Sequence, residues 1–147
     1  LPVGGPHRLE VRQLDSPDAP PARADDVWLG EVWLAAGQSN MQMSAGACGD
    51  DAASAFADAP DPLLRVFTVE CDASLGPGAE ARGRWITATP ETARAFSAVA
   101  WSFARELRAT LRRPVGMVVA AWGGTRIEAW CSRRALLGTP WRETFLN

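Results

Sequence analysis

The stretch Glu31-Val32-Trp33-Leu34-Ala35-Ala36-Gly37-Gln38-Ser39-Asn40-Met41 decides how the rest of the chain is interpreted. Its apolar run is typical of a buried parallel strand. Gly37 ends that run, and a residue without Cβ allows a sharp exit, including one through positive φ. Ser39 therefore follows the carboxyl end of a predicted strand, where open α/β sheets bind their ligands. By position it is a candidate nucleophile, although a serine there is more often a turn or helix-capping residue.

The elements that follow predict an α/β fold. We predict core strands at residues 27–37, 63–69 and 115–121, and a helix within residues 40–57, interrupted by a loop at 46–50. A longer helix is predicted between residues 91 and 111, with Thr89 and Pro90 at its start. Spacing of i, i+3 and i+4 defines its apolar face, which comprises Phe96, Val99, Ala100, Phe103, Ala104, Leu107 and Leu111. Strand, helix and strand in this order predict a parallel sheet.

The first residues of the chain differ in character from the rest. Residues 8–14 alternate as a strand does, and residues 15–21 are rich in Pro, Ala and Asp, which favour extended or turn conformations and bury little surface. We therefore predict a domain boundary between residues 24 and 25.

Composition excludes several classes of function. The 147 residues are 47% hydrophobic and carry a net charge of −2, so no electrostatic attraction to nucleic acid or to an anionic membrane is expected. No apolar run is long enough to span a bilayer. Three cysteines lack the C-x-x-C spacing of a metal site, and we expect Cys48 and Cys131 to be small core residues.

Three blocks together resemble one family. Gly30 to Leu34 with Gly37-Gln38-Ser39-Asn40-Met41 resembles the nucleophile block of the sialate O-acetylesterases, which are SGNH-type (GDSL-like) carbohydrate esterases. Residues 96–107 resemble the helix after the family's second strand, and residues 114–130 resemble its next strand and glycine turn. The resemblance runs from about residue 27 to residue 137. It implies a three-layer SGNH-hydrolase-like (flavodoxin-like) parallel sheet, incomplete in this chain and preceded by a remnant of a β domain. By this resemblance, residues 1–24 would be the end of an upstream β domain and its linker, and residues 25–147 the N-terminal half of an SGNH-type esterase domain.

The resemblance implies a serine esterase that hydrolyses acetyl esters on sugars through an acetyl-enzyme. Ser39 would be the nucleophile, and the backbone N–H groups of Ser39 and of Gly123 or Gly124 would form part of the oxyanion hole. No metal or organic cofactor is implied. Candidate residues of the substrate pocket are Gln38, Asn40, Trp122, Thr125, Arg126 and Glu128.

These candidates also have ordinary structural interpretations. The two glycines form a tight turn in any case, and Asn40 is expected to support the exit from the strand by bonding nearby backbone. Salt bridging is the commoner fate of residues such as Arg126 and Glu128. Because Met41 replaces the second glycine of G-x-S-x-G, the nucleophile elbow of the α/β-hydrolases is disfavoured.

The sequence lacks a convincing base for Ser39. His7 is the only histidine, and it lies in the presumed upstream domain. In the family the histidine comes with an aspartate in a D-x-x-H segment near the end of the catalytic domain. The partners implied are therefore an acetylated sugar and a downstream remainder of that domain, in a secreted or periplasmic protein. The alternative is a non-catalytic carbohydrate-binding or structural segment of the same fold; a nucleotide-binding unit is disfavoured because G-x-G-x-x-G and the Walker lysine are absent.

Overall fold

The chain forms two separate β-sheets and several short helices. The structure, a computed structural model, describes residues 1–49, 61–74, 76–140 and 142–146. Its strands are β1 (Gly4–Val11), β2 (Ala22–Leu29), β3 (Glu31–Gly37), β4 (Asp61–Val69), β5 (Gly83–Ala88) and β6 (Val115–Ala121). Its α-helices are α1 (Ser39–Gln42), α2 (Pro90–Ala93), α3 (Ala98–Leu111), α4 (Arg133–Leu137) and α5 (Arg142–Leu146), with 3₁₀ helices at Ala45–Cys48 and Ile127–Trp130.

The predicted strand 27–37 is divided at Gly30. Its first part belongs to β2, which pairs with β1 in an antiparallel two-stranded sheet, and its second part is β3, in the larger sheet. Gly30 lies tightly against Pro114, since a Cβ on Gly30 would stand 2.0 Å from the Pro114 carbonyl oxygen. Glu31 N–H donates to that same oxygen at 2.9 Å. This close approach fixes the point at which the chain passes from one sheet to the other.

The predicted boundary between residues 24 and 25 falls inside β2. Residues 15–21, predicted as a linker, contain no helix or strand and connect β1 to β2. Val11 and Ala22 are paired across the two strands, so this segment closes a long hairpin. The division of the chain into two domains stays a prediction.

The larger sheet has the strand order β3-β6-β4-β5. β6 is parallel to both β3 and β4, whereas β5 is antiparallel to β4. The α/β fold predicted from the sequence is confirmed, but the sheet is mixed rather than wholly parallel. The antiparallel edge arises because β4 and β5 are joined by a loop without a helical crossover, and only a crossover returns a strand in the parallel direction.

The continuous helix predicted for residues 91–111 is two helices. Thr89 and Thr92 form a capping box around α2, as the predicted start at Thr89 and Pro90 requires. That helix ends at Ala93, and Ser97 begins α3 by accepting the Ala100 N–H at 3.2 Å. The serine side chain thus starts a new helix inside the apolar pattern.

The predicted apolar face of the long helix is only partly buried. α3 buries Ala98, Ala100, Trp101 and Ala104, whereas Val99 and Phe103 are 48% and 43% exposed. Phe103 contacts the edge of Trp33 with ring centroids 5.3 Å apart. The buried stripe is therefore narrow and made largely of small residues, which lets α3 approach the sheet closely.

α3 covers one face of the larger sheet. The strand residues of this core are Ala35, Leu64, Val66, Ala88, Val115, Met117 and Val119. Because successive strand residues point to opposite faces, Val32 and Leu34 point away from α3, and they are 65% and 68% exposed. One face of the sheet thus stays open in the described part of the chain.

Three smaller findings complete the fold. Cys48 and Cys131 are both exposed, so the prediction that they are core residues is wrong; each lies in or just after a short 3₁₀ helix. Of the predicted helix 40–57, the structure forms α1 and the 3₁₀ helix, and residues 50–57 lie outside the described residues. No helix in the described ranges combines the length and the apolar character that a membrane span needs.

Candidate active site

Ser39 lies directly beyond the carboxyl end of β3. Gly37 is the last strand residue, Gln38 is the N-cap of α1, and Ser39 is the first residue of that helix. Gly37 does not have a positive φ; glycine is needed here because a Cβ would come within 3.0 Å of the Met41 Cβ. The strand-to-helix exit that the sequence predicts is therefore formed by close packing of Met41 over Gly37.

The side chain of Gln38 holds the Ser39 hydroxyl. Gln38 Oε1 accepts the Ser39 backbone N–H at 2.9 Å and the Ser39 Oγ–H at 2.8 Å. Ser39 is exposed, so a substrate can reach Oγ from solvent. In this arrangement the hydroxyl proton points to an amide oxygen, which is not a base.

The glycine turn after β6 lies against Ser39. β3 and β6 are adjacent and in parallel register, with Gly37 opposite Ala121, so both carboxyl ends lie at one edge of the sheet. The Trp122 N–H donates to the Gly37 carbonyl oxygen at 3.1 Å. A Cβ on Gly123 would stand 3.5 Å from Ser39 Cα and 3.6 Å from Ser39 Cβ. Pairing of the two strands thus brings together two sequence blocks that are more than eighty residues apart.

The two glycines of the turn present their N–H groups differently. Gly123 N–H donates to the side-chain Oε1 of Gln42 at 2.8 Å. Gly124 has φ +79°, a left-handed conformation that favours glycine. Its N–H has no hydrogen-bond partner among the residues that the structure describes. Gly124 therefore carries the unoccupied donor of the turn.

A short hydrogen-bond chain closes the turn. Thr125 Oγ1 donates to the Trp122 carbonyl oxygen at 2.6 Å, and Trp130 Nε1 donates to Thr125 Oγ1 at 2.8 Å. The Thr125 hydroxyl is thereby occupied within the turn. The Trp122 side chain, 39% exposed, stays accessible beside it.

The remaining predicted pocket residues are less tightly held. Arg126 is exposed and precedes the 3₁₀ helix that contains Glu128. Neither forms an ion pair with another described residue, contrary to the salt-bridging interpretation. Glu128 Oε2 is buried without a hydrogen-bond partner. Asn40 is exposed, and no described residue bonds its side chain, so the expected support of the strand exit by Asn40 is not found.

His7 has no place at this site. It lies in β1 opposite Val27, and its Nε2 is 3.1 Å from the Pro2 carbonyl oxygen. β3 begins where the β1–β2 hairpin ends, and its seven residues run from there towards Ser39. At ~3.3 Å per strand residue, β3 is ~20 Å long. This length separates the hairpin that carries His7 from Ser39 by far more than hydrogen-bond reach.

Sequence reasoning missed Gln42. It stands three residues after Ser39 on α1, so both side chains project from the same side of the helix. That spacing was the available signal, but the partner of Gln42 lies 81 residues away. Only pairing of β3 with β6 shows what Gln42 contacts.

The fold and the position of Ser39 together define an SGNH-like α/β protein with its candidate site at the carboxyl edge of the sheet. The crystal structure of a carbohydrate acetylesterase from Xanthomonas citri supports this class. It matches with a TM-score of 0.81 and 40% sequence identity, over 92% of this chain and 31% of that chain.

A family match gives the next level of identification. Residues 29–143 match the family model of the carbohydrate esterases described as sialic acid-specific acetylesterases. The chain belongs to this family. The sialate O-acetylesterase of Rattus norvegicus is 36% identical over 141 residues, and that of Homo sapiens is 33% identical over 141 residues. These alignments cover 90% of this chain but only 26% and 27% of the two relatives, so the chain spans about a quarter of their length.

Proposed function

We propose that Ser39 is the nucleophile of a carbohydrate O-acetylesterase, acting on acetyl esters of sugars of the sialate type. The observation that carries this proposal is the contact between two sequence blocks at one edge of the sheet. An exposed serine follows β3, and a glycine turn follows β6 so near to it that a Cβ on Gly123 would stand 3.5 Å from Ser39 Cα. A nucleophile beside backbone N–H donors is the arrangement that acyl transfer requires.

The reaction would proceed in two halves. Ser39 Oγ attacks the acetyl carbonyl carbon while a base takes the hydroxyl proton, and the carbonyl oxygen becomes an oxyanion held by backbone N–H groups. The bond from the acetyl carbon to the sugar oxygen then breaks, and that oxygen takes the proton. Water attacks the acetyl-enzyme in the same way, which releases acetate and restores Ser39.

We assign the donors of the oxyanion hole from the hydrogen bonds of the turn. The Gly124 N–H is without a partner among the described residues and is available to a ligand. The Ser39 N–H is bonded to Gln38 Oε1 and becomes available when that side chain turns away. Gly123, whose N–H is bonded to Gln42, is the less direct candidate of the two glycines.

The base would come from a segment outside residues 1–147. The family pattern places it in a downstream D-x-x-H segment, within the remainder of the catalytic domain. Val32 and Leu34, exposed residues of the edge strand β3, belong to the surface against which such a remainder would pack. The length of the relatives, about four times the matched part, leaves ample chain for it.

The sugar would bind beside the glycine turn. Trp122 offers a partly exposed aromatic face, and the exposed Arg126 guanidinium, which has no ion-pair partner among the described residues, would meet a carboxylate such as that of a sialate. Gln38 and Asn40 flank Ser39 in the sequence, and Glu128 and Thr125 complete the predicted set. Because the Thr125 hydroxyl is already bonded within the turn, its part would be to shape the pocket.

The test is replacement of Ser39 by alanine in the full-length protein, with p-nitrophenyl acetate and an O-acetylated sialic acid as substrates. We expect Ser39→Ala to lower kcat by at least about 10³-fold, since the remaining catalysis then lacks the nucleophile. Ser102→Ala, on an exposed position of α3, is the matched control and should keep full activity. Acetate release by Ser39→Ala at the rate of the wild type would refute the proposal.

A non-catalytic role in the same fold is the second candidate. Its support is the hydroxyl of Ser39, which donates to Gln38 rather than to a base, and the lack of any histidine besides His7 in this chain. A serine-directed fluorophosphonate separates the two functions. Covalent labelling at Ser39 in the full-length protein supports the esterase, and sugar binding without labelling supports a binding protein.

A further inference from the structure

Gln42 connects the helix that carries Ser39 to the glycine turn. Its Oε1 accepts the Gly123 N–H at 2.8 Å. Among the described residues this is the only side-chain hydrogen bond between α1 and the turn, and the other connection is the backbone bond from Trp122 N–H to the Gly37 carbonyl oxygen. Beside that backbone bond, Gln42 thus gives the turn a side-chain connection to the helix that carries Ser39.

The turn needs such a support because it consists of two consecutive glycines. Gly124 is in the left-handed region, and a Cβ built on it would meet nothing within 4 Å. Glycine also has the largest backbone freedom of any residue. The bonds of Thr125 and Trp130 close the turn on itself but do not reach α1, so the bond to Gln42 adds a restraint on the turn relative to Ser39.

The helix that carries Gln42 is itself held in place by its neighbours. Met43, the next residue, donates its N–H to the Ser39 carbonyl oxygen at 2.9 Å and accepts the Ala98 N–H at 2.9 Å. Met41, the residue before it, packs against the hydrophobic core. α1 is thus fixed to the start of α3, and Gln42 can hold the turn in place rather than follow it.

We propose that Gln42 is a positioning residue for ester hydrolysis: its amide oxygen holds the Gly123 N–H and thereby fixes the turn whose next N–H, that of Gly124, has no partner among the described residues. This inference rests on the proposed function of Ser39. It assigns the two glycines different tasks, with Gly123 as the held residue and Gly124 as the donor to the oxyanion. Misplacement of a catalytic group by about 1 Å costs on the order of 10²-fold in rate, so the effect falls on kcat.

The test compares Gln42→Met with the wild type in the full-length protein, using p-nitrophenyl acetate. Methionine keeps the length of the side chain but has no carbonyl oxygen. We expect kcat to fall by about 10- to 100-fold with KM changed by less than about twofold, and labelling of Ser39 by a fluorophosphonate to slow in parallel. Gln13→Met, the same change in an exposed loop, is the matched control and should leave both constants unchanged.

A second variant serves if Gln42→Met does not fold. Gln42→Glu keeps an oxygen acceptor for Gly123, but its charge opposes the nearby oxyanion when ionised. The ratio of its kcat to that of the wild type should rise as pH falls through the usual glutamate pKa of about 4.3. Groups shared by the two proteins, Glu128 and Arg126 among them, cancel in this ratio.

The outcomes separate this inference from the proposed function. If Ser39→Ala is inactive but Gln42→Met retains kcat within about twofold of the wild type, or exceeds it, Gln42 does not position the turn. A pH-independent ratio for Gln42→Glu leads to the same conclusion. If Ser39→Ala itself stays active, the proposed function fails first, whatever the Gln42 variants do.

Discussion

At the scale of single residues, two glutamine side chains organise the candidate site. Gln38 Oε1 holds both the hydroxyl and the N–H of Ser39, and Gln42 Oε1 holds the N–H of Gly123. Gln38 is the N-cap of α1 and Gln42 is its last residue, so the two acceptors lie at the two ends of one short helix. Two amide oxygens thus accept the hydrogen bonds of Ser39 and Gly123 in the structure. They are carbonyl oxygens, as is the acceptor oxygen of an ester.

The left-handed conformation of Gly124 leads to a prediction on stability. Gly124→Ala meets no neighbouring atom, so its cost is that of the backbone conformation alone. We expect a loss of about 1–2 kcal/mol in the free energy of unfolding, measured by urea denaturation. Gly124→Asn should lose less, because asparagine adopts this conformation more readily. Equal losses for the two variants would show that φ +79° is not the cause.

At the scale of secondary-structure elements, one ion pair joins the two sheets. Arg65 of β4 bonds both carboxylate oxygens of Asp26 in β2, at 2.9 and 3.0 Å. Trp28 Nε1 donates to the same carboxylate at 2.8 Å, and the guanidinium lies 5.4 Å from the centre of the Trp28 ring. Hydrogen bonds from Arg65 and then from Trp28 lower the pKa of Asp26 below its usual value. The β1–β2 hairpin is thereby held against the larger sheet.

This ion pair predicts a pH dependence of stability. A carboxyl whose pKa is lowered by folding stabilises the native state above its unfolded pKa of about 3.9. That contribution is lost as pH falls through the lower folded pKa. Asp26→Asn should therefore have a lower Tm than the wild type at pH 7, and the gap should close below about pH 4. Asp18→Asn, in the loop between β1 and β2, is the control, and a gap of constant size at all pH values would contradict the assignment.

At the scale of the whole molecule, helices cover only one face of the sheet in the described part of the chain, and the β1–β2 hairpin reaches the other face only through Arg65 and its partners. α3 packs on the face that carries Met117 and Val119, while Val32, Leu34 and Trp85 stay exposed by 65%, 68% and 47%. β3 is also an edge strand in the described part of the chain. Adjacent apolar residues on an open face indicate a surface made for packing.

The open face leads to a prediction for Leu34→Glu, whose effect should differ between residues 1–147 alone and the full-length protein. In residues 1–147 produced alone, Leu34→Glu should reduce self-association, measured by sedimentation, because it interrupts the apolar face. In the full-length protein the same change should cost at least about 2 kcal/mol in the free energy of unfolding, since it removes a leucine from a packed interface. Leu14→Glu, at a loop position 93% exposed, should do neither. A neutral effect of Leu34→Glu in the full-length protein would mean that nothing packs on this face.

The sequence by itself determined those features that depend on local pattern. Strands at residues 63–69 and 115–121, the exit from the strand at Gly37, the exposed Ser39 and the glycine turn all follow from residue type and spacing over a few positions. Where a local pattern was continuous but the structure was not, the prediction failed. Gly30 divides an apolar strand and Ser97 starts a new helix, because close contact with Pro114 and a side-chain cap outweigh periodicity.

Only the tertiary structure decided which of these features meet. The strand order β3-β6-β4-β5 places β6, the last of them in sequence, beside β3. That pairing alone brings Gly123 to Ser39 and to Gln42, 81 residues earlier in the chain. The tertiary structure likewise brings Arg65 of β4 to Asp26 of β2, in the other sheet. The spacing of residues along the sequence does not show these contacts, because they form between segments far apart in the chain. Which strands become neighbours depends on the apolar surface that they bury together when the whole sheet packs.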